Sequence, residues 1–201
     1  MIRDRCALCG ERVGDRRCPA LDKSLCSPCC GSHRGKLVRC PSDCTYGRQA
    51  EERLREKRAQ ELQRAWALWY RDLASAGSEG LWPHVELLAE ALATLLHRGL
   101  ATDPEVEGAL RHLDQALSPV VLVSTPPSPL GRALAEEGFL PLVKEGKFDR
   151  EKLRKVAHAL SDWLAAYRSD DPLRFVRGLL GLFPPRPQQP QGLIVRPPGS
   201  A

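Results

Sequence analysis

Between residues 47 and 183, apolar side chains recur every three or four positions, the spacing that puts one face of a helix against a core. A first predicted helix covers 47–76. Leu54, Leu62, Trp66, Trp69 and Leu73 fall on one side of it, and Glu51 and Arg55 are set one turn apart for an ion pair. Its first half is nearly all charge and reads as a solvated or partner-facing connector, while the Trp-rich second half joins a core. Pro83 opens a helix over 83–98 with Val85, Leu88, Leu92, Leu95 and Leu96 on a broad face and Gly99 as its stop. Asp103 then reads as an N-cap before Pro104, with Val106, Leu110, Leu113 and Leu117 as the buried stripe. Further helices are expected over 130–137, ended by Gly138, over 150–167, capped by Asp149 and facing inward through Leu153, Val156, Leu160, Leu164 and Tyr167, and from Pro172 to near Phe183. Between them, Val120, Leu122 and their neighbours make a β-prone run of four, too short to found a sheet. The histidines His84, His97, His112 and His158 stand singly and suit surface or helix-end roles.

Before residue 47 the helical periodicity is missing and the chemistry changes. All eight cysteines lie here, as Cys6-x2-Cys9, Cys18, Cys26-x2-Cys29-Cys30 and Cys40-x3-Cys44. Cys-x2-Cys turns present two thiolates at the bite a tetrahedral ion needs, and eight thiolates divide into two closed four-thiolate sites, so the cofactors expected are two structural Zn2+ ions. A disulfide framework needs an oxidising compartment, and no apolar signal region precedes Cys6, which reads as cytoplasmic.

Adjacent side chains leave the backbone in different directions, so Cys29 and Cys30 are expected on different ions. That gives Cys6, Cys9, Cys26 and Cys29 as site 1 and Cys18, Cys30, Cys40 and Cys44 as site 2, interleaved as in cross-brace zinc modules. Gly10 and Gly31 each follow a cysteine where positive φ would aim backbone N–H groups at sulfur. His33 has ligand spacing from Cys30, but eight cysteines already fill both sites.

The stretch Leu25-Cys26-Ser27-Pro28-Cys29-Cys30-Gly31, then Arg34 and Cys40-Pro41-Ser42-Asp43-Cys44-Thr45-Tyr46, resembles the N-terminal signature of a group of uncharacterised bacterial Cys-rich proteins. The resemblance covers the first 46 residues and the remainder loosely, and it implies zinc binding with no attached activity. Those sequences tend to carry Lys where this one has His33.

Net charge is +5. Residues 1–44 hold nine Lys and Arg against five Asp and Glu, a basic excess of four. Each zinc with four thiolates is doubly negative, so two sites bring this segment to neutrality. A patch from Arg12, Arg16, Arg17, Arg34, Lys36 and Arg39 would be the phosphate-binding candidate, but no aromatic residue precedes Tyr46 for base stacking.

Nucleophile-elbow, phosphate-loop, dinucleotide and zinc-protease motifs are all missing, and a zinc closed by four thiolates is a poor Lewis acid, so a non-enzyme is expected. No span approaches the roughly 20 apolar residues of a membrane helix. The expected architecture is mainly α: a double-zinc module at 1–46, an all-helical domain at 47–183 and a disordered Pro-rich tail at 184–201 carrying the apolar island Leu193-Ile194-Val195. The function expected is that of a zinc-binding interaction or adaptor protein whose zinc module is a platform for a protein partner. The alternative is a nucleic-acid- or ribosome-associated protein that also uses the connector residues Arg48, Arg53, Arg55, Lys57 and Arg58.

Overall fold

A short antiparallel hairpin, which no periodicity announced, begins the regular structure. Strand β1 (Arg16–Cys18) pairs with β2 (Lys23–Leu25), Arg16 opposite Leu25 and Cys18 opposite Lys23. Pro19 to Asp22 make the turn, and Asp22 takes the left-handed φ of 50° that an Asp tolerates. In the computed structural model, which describes residues 4–119 and 126–185, the rest is mainly α-helical. The expected β-prone run at 120–123 and the apolar island of the tail lie outside the described residues.

The chain divides into two compact units, Met1–Glu56 and Lys57–Ala201. In the first, the hairpin is followed by α1 (Ser27–His33), and the Ser27 hydroxyl donates to Asp15 at 2.9 Å. That bond holds the Asp15 carboxyl below its ordinary range and ties α1 to the chain entering the hairpin. Helix α2 (Thr45–Ser75) starts two residues before the expected position and runs on into the second unit, so the division falls within a helix, ten residues beyond the boundary expected at 46.

The second unit is built on α3 (Trp82–Leu96), α4 (Asp103–Leu117), α7 (Arg150–Tyr167) and α8 (Arg174–Leu182), with Leu62 and Trp66 of α2 buried against them. The expected stripes form the core: Leu88, Leu92, Leu110, Leu113, Leu153 and Leu160 are all fully buried. All four tryptophans gather in one aromatic group, in which Trp69 stacks on Trp163 at 5.3 Å and Trp66 meets Trp82 edge-on at 6.0 Å. At Gly178, a side chain would lie 3.0 Å from the Arg58 carbonyl and from Leu62, so glycine allows α8 its close approach to α2. The Arg58 guanidinium sits between Glu61 (2.7 Å) and Asp171 (2.8 Å), and Arg177 reaches the same Asp171. Part of the charged half of α2 is thus an anchor of the helical unit, not a free connector.

Two helix ends differ from expectation. The N-cap of α4 is Thr102, in a reciprocal capping box with Glu105, and Asp103 is the first helical residue. Its carboxylate instead accepts the backbone N–H groups of Phe175 and Val176 at 2.9 and 3.0 Å, capping α8 across the core, while its own N–H donates to the Pro172 carbonyl. Gly138 does not end its helix: α5 (Pro129–Arg132) continues as a π-helical stretch (Ala133–Phe139) into α6 (Leu140–Lys144). Pro141 has no N–H to donate and its ring would crowd a carbonyl one turn back; the widened turn relieves that crowding and buries Phe139 against Phe148. Asp149 caps α7 as expected, accepting from the Lys152 N–H at 2.8 Å.

Burial pushes the Asp103 carboxyl up from its ordinary value, against the pull of the two amides. A raised folded value means that its contribution to stability is present at low pH and lost as pH rises through that value. Replacing Asp103 by Ala leaves the two α8 amides unpaired and is expected to cost on the order of 1–3 kcal/mol in chemical denaturation. Asp103→Asn keeps an acceptor without a buried charge and is expected to cost less than Asp103→Ala at neutral pH. Equal losses in the two variants would contradict the capping role.

Candidate metal centre

The Sγ atoms of Cys6, Cys9, Cys26 and Cys29 lie within 4.8 Å of one another. Two turns bring them together. In the first, the Cys6 N–H donates to the Arg12 carbonyl and the Gly10 N–H to the Cys6 carbonyl, both at 2.8 Å, and an Arg5–Val13 bridge closes the loop below. Gly10 takes a φ of 67°, which turns the chain so that the amides of Glu11 and Arg12 face the Cys9 sulfur. The second turn is the start of α1, where Cys26 is the N-cap in extended conformation and Cys29 lies in the helix one turn on.

The backbone sets the chemistry of these thiols. N–H groups of Cys26 and Cys9 point at the Cys6 sulfur and lower its pKa to about 6, and those of Arg12 and Glu11 lower that of Cys9. Cys29 goes the other way, up to about 12, because the neighbouring Cys26 thiol and burial both disfavour a further negative charge. Without a cation, four thiolates cannot share this space. A dication removes that conflict, and the geometry fits one: Cys9 and Cys26 sulfurs are 3.9 Å apart, against about 3.8 Å for the edge of a tetrahedron with Zn–S bonds of 2.3 Å.

The other expected set is placed differently. Cys18 ends β1, Cys30 lies in α1, Cys40 is in the loop after it and Cys44 immediately precedes α2. Cys18, Cys30 and Cys44 are buried and Cys40 is half-buried. Among the described residues their sulfurs do not form a second group within 4.8 Å. No Cys-x2-Cys turn pins these four, which come from three stretches of chain, Cys18 in β1, Cys30 in α1, and Cys40 with Cys44 in the loop before α2. They are still neighbours in one electrostatic environment: burial pushes the Cys40 thiol up, with Cys44, Cys18 and Cys30 adding to the shift and Arg34 opposing it. Cys29 and Cys30 do separate, Cys29 into the four-sulfur group and Cys30 outside it.

Gly31 lies inside α1 without positive φ, so the expected pairing of Gly10 and Gly31 holds for Gly10 alone. His33 is the last residue of α1 and is not part of the sulfur group; its carbonyl accepts the amides of Lys36, Leu37 and Val38. Of the six basic residues in the expected phosphate patch, Arg16 lies over the Tyr46 ring at 5.0 Å, Arg17 pairs with Asp22 and Arg34 contacts Cys30. Arg34 as a sulfur partner was not foreseen, although its position four residues after Cys30 was a signal.

No protein-family model, curated protein or solved structure matches the chain. The functional reading therefore rests on the chemistry of its own residues.

At pH 7.5, with Cys6 already ionised and Cys29 still protonated, zinc binding to this group is expected to release roughly one to three protons, measurable by calorimetry in buffers of different ionisation enthalpy. Apparent affinity falls with decreasing pH, since protons then compete for all four sulfurs. Affinity independent of pH between 5.5 and 7.5 would contradict thiolate ligation.

Proposed function

We propose that the first unit is a structural zinc module that holds two ions and serves as a rigid platform for a protein partner, without catalysis of its own. The gathering of Cys6, Cys9, Cys26 and Cys29 within 4.8 Å carries this reading. Four thiolates close a site against substrate and make zinc a weak Lewis acid, so the ion's contribution is to fix the two turns. Cys18, Cys30, Cys40 and Cys44 would hold the second ion, drawing β1, α1 and the loop before α2 together. Such free thiolates suit the reducing cytoplasm. Among the described residues no helix is long and apolar enough to cross a membrane.

A protein partner is favoured over nucleic acid by what the side chains of this unit are doing. Arg16, Arg17 and Arg34 are engaged within the unit, and Arg55 and Arg58 of the connector are in ion pairs, which leaves Arg12, Lys36 and Arg39 with the exposed Arg48, Arg53 and Lys57, the last three diluted by Glu51, Glu52 and Glu56. In the first unit Leu37 is 74% exposed and Val13 47%, apolar surface of the kind a protein partner covers.

Native mass spectrometry of the full chain is expected to show two zinc ions, and anisotropy titrations with single- and double-stranded DNA and RNA are expected to show no submicromolar binding at physiological salt. Iron in place of zinc, or one ion after zinc-replete expression, would overturn the two-zinc assignment. Submicromolar nucleic-acid binding abolished by Lys36→Ala together with Arg39→Ala would overturn the partner class.

A further inference from the structure

Helix α3 carries a second stripe beside the one it buries. Leu88, Leu92 and Leu96 face the core, while Leu87 and Ala91 are half-buried and Thr94 is exposed one turn further on. These three line a mostly apolar cleft of about 720 Å³, together with Leu182 and Phe183 at the end of α8 and Pro185 beyond it. The chain leaves α8 along this cleft. The His97 imidazole donates through Nε2 to the Phe183 carbonyl at 2.8 Å, which fixes the point of departure on the side of α3. Pro184 and Pro185 have no N–H with which to continue the helix, and both line the same cleft. Residues 186–201 follow, outside the described residues, and Leu193-Ile194-Val195 is their one aliphatic run.

We propose that Leu193-Ile194-Val195 packs into the α3–α8 cleft of its own chain and so fastens the C-terminal segment to the helical unit. Reach favours this occupant. From Leu87 to Thr94 the α3 wall is about 11 Å long at a rise of about 1.5 Å per residue, whereas residues 186–192 span up to about 25 Å, so the aliphatic run can return to any point of the cleft from Pro185. Tethering adds to this. A short linker gives the run a local concentration on the order of millimolar, which populates a contact too weak to hold a free peptide or the segment of another chain at micromolar protein. The contact lies within the second unit and is independent of metal binding in the first.

The test places a photoreactive benzophenone side chain at position 194 of the full chain, with isotopically light and heavy chains mixed so that links within and between copies are told apart by mass. The expected link is within one chain, to α3 between Leu87 and Thr94. Thr94→Arg puts a long charged side chain in the cleft from an exposed helical position and is expected to lower the yield of that link about 10-fold. Gln63→Arg, in the neighbouring cleft lined by Trp82 and Phe183, is expected to leave it unchanged. Leu193→Asp together with Val195→Asp is expected to lower the yield as Thr94→Arg does, and this pair carries the test should Thr94→Arg fail to fold. Links formed between copies, links scattered over the surface, or a yield that the deciding variant leaves unaltered would overturn the proposal. Loss of the link in Gln63→Arg alone would overturn it as well, by moving the contact to the other cleft.

Discussion

Four sulfurs crowded around one point constrain the first unit more than any other interaction in it. Among the described residues its buried cluster consists of Leu25 and Val38 with cysteines, and Tyr46 packs at the edge. Two aliphatic side chains do not supply the burial that holds a small domain together. Ligation of an ion by these four sulfurs would fix the first turn to the start of α1 through one centre. Backbone amides favour the Cys6 and Cys9 thiolates, while the Cys26 thiol and burial disfavour a charge on Cys29, a conflict that a bound dication would relieve.

The second unit is stabilised by other means. Its core is a continuous set of aliphatic stripes from α3, α4, α7 and α8, closed on one side by the aromatic group around Trp69 and Trp163. Polar groups enter that core where they are fully used: Asp103 caps α8 from another helix, and Arg58 and Asp171 join α2 to the chain leading into α8. Among the described residues no group of side chains in this unit could hold a metal ion, and its core is built by apolar burial.

Much of the helical unit was legible because the 3.6-residue period of Leu88, Leu92, Leu110, Leu113, Leu153 and Leu160 is a direct imprint of burial. What escaped was tertiary. Thr102 and Asp103 are both competent caps, and sequence does not say that one is spent on a neighbouring helix. Gly138 looked like a terminator because the widening forced by Pro141 depends on packing around Phe139. At the metal centre, the pairing of Cys6 and Cys9 with Cys26 and Cys29 was readable from two Cys-x2-Cys turns, whose geometry is local. The short hairpin was not, since three-residue strands carry too little alternation to be told from loop. In the sequence Arg34 reads as one of several surface charges, and its contact with Cys30 belongs to the folded turn at Gly35 and Val38.

Hydrogen exchange on the full chain before and after chelation tests the central claim, that ligation stands in for a core in the first unit alone. Chelator is predicted to abolish amide protection across residues 4–44 and to leave α3, α4, α7 and α8 protected. Protection lost from both units together, or retained in both, would contradict it.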